Sequence, residues 1–178
     1  MKLRDIINRA IQILGLENEV SVTEESPRLT KLIDCTNMIL GELTQEYIHL
    51  KTAETLVFNE GRAYYRDFSK PVREVIAVRD KGIKQNFVMY PLYLFCDGLE
   101  GQVEVTYLYH LGELGLDDDV GLPPQYSVYT LAVGTASEYC YRTGLVDEAL
   151  FYKSRYDTSL LNLSRRMRLA TLPNRRLL

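Results

Sequence analysis

The sequence has no tryptophan and only two histidines, His49 and His110. Its three cysteines, Cys35, Cys96 and Cys140, lie far apart and form no C-x-x-C pair. That spacing argues against a zinc site or a disulfide framework, and for reduced, buried thiols. No G-x-S-x-G, P-loop, G-x-G-x-x-G or H-E-x-x-H pattern occurs. No apolar run is long enough for a signal peptide or a membrane helix, so no membrane partner is expected. There is no recognisable set of convergent titratable side chains, and the chain reads as a non-enzyme without cofactor or metal. Two one-sided gaps in charge say more. Residues 85–141 hold eight acids and no Lys or Arg, and no acid follows Asp157.

What remains is an ordinary globular composition. The chain has 178 residues, 46% hydrophobic and 25% charged, with a net charge of −3. That length suits one domain, or one domain with an insertion, and supports a core without staples. The net charge hides a split. The last fourteen residues carry Arg165, Arg166, Arg168, Arg175 and Arg176, while the first 164 hold 16 basic and 24 acidic side chains.

Periodicity orders the chain. Leu3, Ile6, Ile7, Ala10, Ile11 and Leu14 repeat at helical spacing, and Gly15 supplies a left-handed stop. A second, long helix is expected from Thr23 or Ser26, with Pro27 in its first turn and a stripe from Leu29 to Tyr47 and Leu50. From about residue 54 the period becomes that of strands. Asn59-Glu60-Gly61 reads as a hairpin turn between Leu56–Phe58 and Ala63–Tyr65. Pro91 splits two further runs, and Val103 to Tyr109 alternate as a half-exposed strand. An acidic loop spans Gly112 to Gly121. Leu122-Pro123-Pro124 is expected to open a third helix that Gly144 ends. Asp147 opens a fourth, where an acid suits the helix dipole.

The expected fold is therefore α+β and mainly helical: a four-helix body with an inserted small antiparallel β domain and an extended C-terminal tail. The expected divisions are 1–53 for the first two helices, 54–121 for the β domain and acidic loop, 122–164 for the last two helices, and 165–178 for a basic docking arm.

Several features invite chemistry. Asp117-Asp118-Asp119 offers carboxylates to a hard cation, but lacks EF-hand spacing and a closing glutamate, so a solvated loop is the better reading. His110 near Glu113 has the types of an acid–base pair, yet a rim histidine explains it as well. Thirteen tyrosines would stack on bases or fill protein interfaces, and the acid-only stretch 85–141 favours core and interface. The arginine tail would grip phosphates, as in a nucleic-acid-binding accessory protein, or dock on an acidic protein surface. Leu169, Leu172, Leu177 and Leu178 among the arginines favour protein.

Four stretches together resemble the head-to-tail connector (adaptor) proteins of tailed bacteriophages, the group that includes the tail tubular protein A of short-tailed phages. They are Lys2-Leu3-Arg4-Asp5-Ile6-Ile7-Asn8-Arg9-Ala10-Ile11-Gln12-Ile13-Leu14-Gly15, the long helix after Ser26-Pro27, Leu122-Pro123-Pro124-Gln125-Tyr126 with Ala132, Ala136 and Tyr139 beyond it, and the last helix with Tyr156 and Leu160. The similarity spans nearly the whole chain as pattern and order. It implies a virion protein of the neck, assembled in the host bacterial cytoplasm as a dodecameric ring. The ring would dock on the portal, extend the DNA channel and offer the surface on which a tail or tail-nozzle protein attaches. It makes Arg165, Arg166, Arg168, Leu169, Leu172, Arg175, Arg176, Leu177 and Leu178 the contacts to the portal or a neighbouring subunit. Glu113, Asp117, Asp118 and Asp119 become candidates for a channel lining that lets genomic DNA pass without specific binding, since Lys or Arg there would trap phosphates.

Overall fold

A computed structural model describes the backbone of residues 1–170 and the side chains of residues 1–163. The chain order is α1 (Leu3–Leu14), α2 (Pro27–Glu46), β1 (Lys51–Phe58), β2 (Arg62–Tyr64), a 3₁₀ turn (Tyr65–Asp67), β3 (Val72–Asp80), β4 (Ile83–Gln85), β5 (Val88–Met89), β6 (Tyr93–Phe95), β7 (Gly101–Tyr109), α3 (Val128–Thr143) and α4 (Val146–Ala170). The fold is α+β, with four helices and an antiparallel β region. It is not mainly helical: among the described residues, seven strands in two sheets share the chain with the four helices. Element boundaries also differ from those expected. The strands begin at Lys51, ahead of the expected residue 54, and the third helix starts late. Contacts divide the chain into two compact units, one from Met1–Leu40 and the chain from Glu113 onward, the other from Gly41–Gly112.

In the helical unit, α1 buries Leu3, Ile6, Ile7, Ala10 and Ile11 as one stripe. Gly15 ends it at φ 67°, and the amide of Leu16 donates back to the carbonyl of Ile11 at 3.0 Å. Ser26 caps α2, its Oγ accepting from the amide of Leu29 at 3.2 Å, so Pro27 takes the first helical position, where its missing N–H goes unneeded. Leu122-Pro123-Pro124 does not open α3. The residue before a proline is pushed towards extended backbone, and two prolines in sequence extend that bias. The cap is Ser127, whose Oγ accepts from the amide of Thr130 at 3.1 Å. Helix α3 is buried on almost every side, from Thr130 through Cys140, and packs against both α1 and α4. The helix α4 runs to Ala170, so the backbone of Arg165, Arg166, Arg168 and Leu169 is helical rather than extended. The reason is local: Arg, Met, Leu and Ala are strong helix formers, and no Gly or Pro interrupts them before Pro173.

The β unit holds two antiparallel sheets, ordered β1-β7-β3-β4 and β2-β6-β5. Asn59-Glu60-Gly61 does turn the chain, with Glu60 and Gly61 at φ 50° and 73° and paired bonds between Asn59 and Arg62. The strands it joins nevertheless belong to different sheets: β1 pairs with β7 and β2 with β6. Gly61 is required by space as well as by φ, because a Cβ there would stand 2.5 Å from the carbonyl oxygen of Cys96. Between the sheets' inward faces lies a core of Leu56, Phe58, Phe68, Val78, Leu94, Val105, Tyr107 and their neighbours. The helix α2 stops at Glu46, so Tyr47 leaves the expected stripe and is 43% exposed, while Ile48 and Leu50 are buried.

Candidate functional site

The acidic loop is built around the start of α1. A helix leaves its first amides without intrahelical partners. Here the carbonyl of Asp118 accepts from the amide of Leu3 at 3.1 Å, and that of Leu116 from Arg4 at 2.9 Å. The amide of Val120 donates to the carbonyl of Met1 at 3.0 Å, and Lys2 and Asp119 form an antiparallel bridge. Side chains follow the same logic. Asp117 pairs with Arg4 at 3.2 Å, and Asp119 with the terminal amine at 3.1 Å. Asp118 instead folds inward and accepts from the amide of Gly115 at 2.7 Å. Three adjacent carboxylates are thus tied to three different partners and do not converge on one point. Asp117 and Asp119 keep 70% and 77% of their side-chain surface in solvent. Among the described residues no group of three or more His, Cys, Asp or Glu side chains could hold a metal ion.

Glu113 does not join that triplet. It lines a pocket of about 340 Å³ with Asp34, Asn37, Met38 and Arg142. The Asn37 side chain holds the neighbouring backbone there, donating to and accepting from Leu114 at 3.0 Å each. Arg142 pairs with Glu138 at 3.1 Å and donates to the sulfur of Met38. With its cation already held, this pocket offers little grip on a small anion. His110 sits at the exit of β7, its amide donating to the carbonyl of Pro71 at 3.0 Å, and His49 lies exposed beyond the end of α2.

Of the arm residues, Arg165, Arg166, Arg168 and Leu169 fall on α4 without described side chains. Leu172, Arg175, Arg176, Leu177 and Leu178 lie outside the described residues. The three cysteines are free and buried. Burial pushes the thiols of Cys35 and Cys96 up to about 11 and raises that of Cys140, so none is poised as a nucleophile. Among the described residues no helix is long and apolar enough to cross a membrane.

The feature that sequence reasoning missed is on the small sheet. Strands β2 and β6 pair Arg62 with Phe95 and Tyr64 with Tyr93, while Ala63 and Leu94 between them are buried. Alternation therefore turns Arg62, Tyr64, Tyr93 and Phe95 to the opposite face. Tyr90 stacks on Tyr93 at 5.0 Å and 27°, and Tyr64 meets Tyr93 edge-on at 5.9 Å. The guanidinium of Arg62 lies 5.3 Å from the Tyr93 ring centre, and that of Arg66 lies 5.0 Å from Tyr64. The signal was available as an Arg-x-Tyr and a Tyr-x-Phe at strand spacing, once their pairing was known.

No protein-family model and no curated protein matches this chain. The geometry must therefore carry the reading. It offers no nucleophile beside a base and no metal cluster among the described residues. It offers surfaces: an acid loop laid over a helix start, and an aromatic sheet face braced by arginines.

Proposed function

We propose that this chain is a structural protein of a phage virion: a ring-forming head-to-tail adaptor that docks on the portal, extends the DNA channel and presents the surface for tail attachment. The observation that carries the reading is the order of the fold. Two helices, a β unit and two further helices, with the outer helices forming one compact unit, is the layout that the resemblance to connector proteins implies. The acid-only stretch 85–141 supports it, because segments without Lys or Arg do not hold phosphates. The arginines and leucines from Arg165 to Leu178 supply the docking contacts to the portal or a neighbouring subunit. No catalytic step and no cofactor belongs to this role.

The test is reconstitution. The chain is mixed with the portal of the same virus and imaged by electron microscopy. An added ring layer beneath the portal is expected, and a portal that stays bare overturns the proposal. A variant ending before Arg165 is expected to keep its fold and lose the layer. Undiminished docking by that variant removes the tail from the interface.

A further inference from the structure

We propose that the outward aromatic–arginine face of the β2-β6-β5 sheet docks on the acidic loop of a second copy of this chain, in a head-to-tail contact. The inference rests on the adaptor reading for its setting, since it names the surfaces by which neighbouring subunits of a ring would meet.

The face has the composition of an interface centre. Tyr and Arg are the side chains most enriched where protein contacts concentrate their energy. Here Tyr64 and Tyr90 each pack on Tyr93, and Tyr90 remains 44% exposed. Beside them Leu92 is 73% exposed, an apolar side chain with no cover among the described residues. The arginines are held in place without being used up. A guanidinium lying over a ring keeps its in-plane N–H donors free for a carboxylate. Arg66 is 80% exposed, and its ion pair with Asp67 is long, at 3.7 Å. The ordering of these side chains is therefore largely settled before a partner arrives, which lowers the entropy lost on binding.

Charge decides the occupant. The face presents two cations, and the same chain carries two carboxylates at Asp117 and Asp119 that are 70% and 77% exposed. Each of those carboxylates has one partner within the chain and most of its surface in water, so each retains lone pairs for an arginine. One copy offers both surfaces and they are different, so the contact is heterologous: each subunit leaves one surface of each kind open for the next. Repetition gives a ring where the rotation closes. A single-stranded nucleic acid would also find rings and cations on this face, and its binding is an outcome of the test below.

Sedimentation of the full chain over a concentration series, at low and high salt, tests this. Association that weakens with salt is expected. Arg62→Glu with Arg66→Glu, and separately Asp117→Asn with Asp119→Asn, are each expected to weaken it about tenfold or more. An equal mixture of these two variants keeps one good face and one good loop, so it is expected to form dimers and stop there. Tyr90→Ala, on an exposed side chain of the same face, should weaken association without touching charge or the start of α1. The contact is overturned if the folded wild type stays monomeric at every concentration, if the variants associate like wild type, or if the mixture fails to pair. Binding of a short oligothymidylate that Tyr90→Ala abolishes, without self-association, reassigns the face to nucleic acid and overturns it too. A wild type that layers on the portal yet never self-associates overturns this contact alone; self-association with no portal layer overturns the adaptor reading alone.

Discussion

In the helical unit the closest approaches are made by the smallest residues. Gly134 sits in the middle of α3 where a Cβ would stand 2.9 Å from the Tyr156 ring and 3.1 Å from Ile39. Ala132 and Ala136 flank it, fully buried. Polar atoms inside this unit are hydroxyls that bond to nearby carbonyls or to one another: Thr36 to Leu32 at 2.7 Å, Thr135 to Leu131 at 3.1 Å and to Thr36 at 3.3 Å, Ser137 to Ala149 at 2.9 Å. The β unit is filled the other way. Phe58, Phe68 and Tyr107 supply bulk, with Phe68 and Tyr107 edge-to-face at 4.9 Å. Its polar knot is charged, since Glu54 accepts from the Tyr107 hydroxyl at 2.7 Å and from the amide of Ser69 at 3.2 Å. The middle of α3 leaves no room for an added atom, and the β core rests on large rings. They should fail in different ways.

The largest effect is expected at Phe58, which is 1% exposed. Phe58→Ala removes a ring the surrounding strands cannot replace and should cost ~3–5 kcal/mol of stability in a denaturant titration. The thiols show where the loss falls. Cys96 belongs to the β unit, and Cys35 and Cys140 to the helical one; all three are buried. Alkylation of Cys96 should accelerate in the variant while Cys35 and Cys140 keep their wild-type rates. Equal acceleration of all three would mean that the two cores open together, and the contrast between them would lose its meaning for stability.

The opposite change breaks the helical unit. Gly134→Val adds volume where a Cβ alone already stands 2.9 Å from Tyr156 and 3.1 Å from Ile39, and is expected to destabilise by ~1–3 kcal/mol. Gly134→Ala gains roughly 1 kcal/mol of helix propensity and so should fall less. An alanine variant as stable as wild type would show that Tyr156 can move, and that this core is looser than its distances state.

Glu54 tests the charged knot of the β unit. Burial pushes its carboxyl up, but the hydroxyls of Ser69 and Tyr107, the amide of Ser69 and the charge of Lys70 together outweigh that and hold it below its ordinary value of 4.5. A lowered folded value stabilises the fold above the unfolded value, and the contribution is lost as pH falls through the folded one. Tyr107→Phe takes away one donor and should cost ~1–2 kcal/mol near neutral pH. The cost should shrink as pH falls from 4.5 through the lower folded value, where the carboxylate takes up its proton. A loss independent of pH would mean that packing of the ring, and not the carboxylate, is what Tyr107 contributes.

The same contrast explains what could be read before the structure. The first helix was legible because its stripe is buried on one side only and Gly15 marks its end. The Asn59-Glu60-Gly61 turn was legible because positive φ at consecutive residues is written in local chemistry. Its pairing was not, since β1 joins β7 across more than forty residues of chain and nothing local encodes that register. The candidate surfaces follow suit. The acidic loop was visible as charge, but its capping of α1 runs through backbone carbonyls, which side chains do not announce. The aromatic face needed the β2–β6 register before Arg62, Tyr64, Tyr93 and Phe95 shared a side.

The start of α3 was misread for a related reason, and it supplies the smallest test. The helix is buried nearly all round, so its sequence lacks a polar face to show where the period begins. Leu122-Pro123-Pro124 then looks like an opening, when the cap is Ser127 five residues past Leu122. If Ser127 is the cap, Ser127→Ala frees the amide of Thr130 and should cost ~1 kcal/mol, while Ser127→Asp restores most of it. The Ser127 hydroxyl also meets that of Thr130 at 3.0 Å, a contact alanine loses and aspartate keeps as an acceptor. The loss should appear as faster amide exchange in the first turn of α3, with the β unit unchanged. Faster exchange in the strands as well would show that the start of α3 supports both cores, and the division drawn between them would have to be redrawn around this helix.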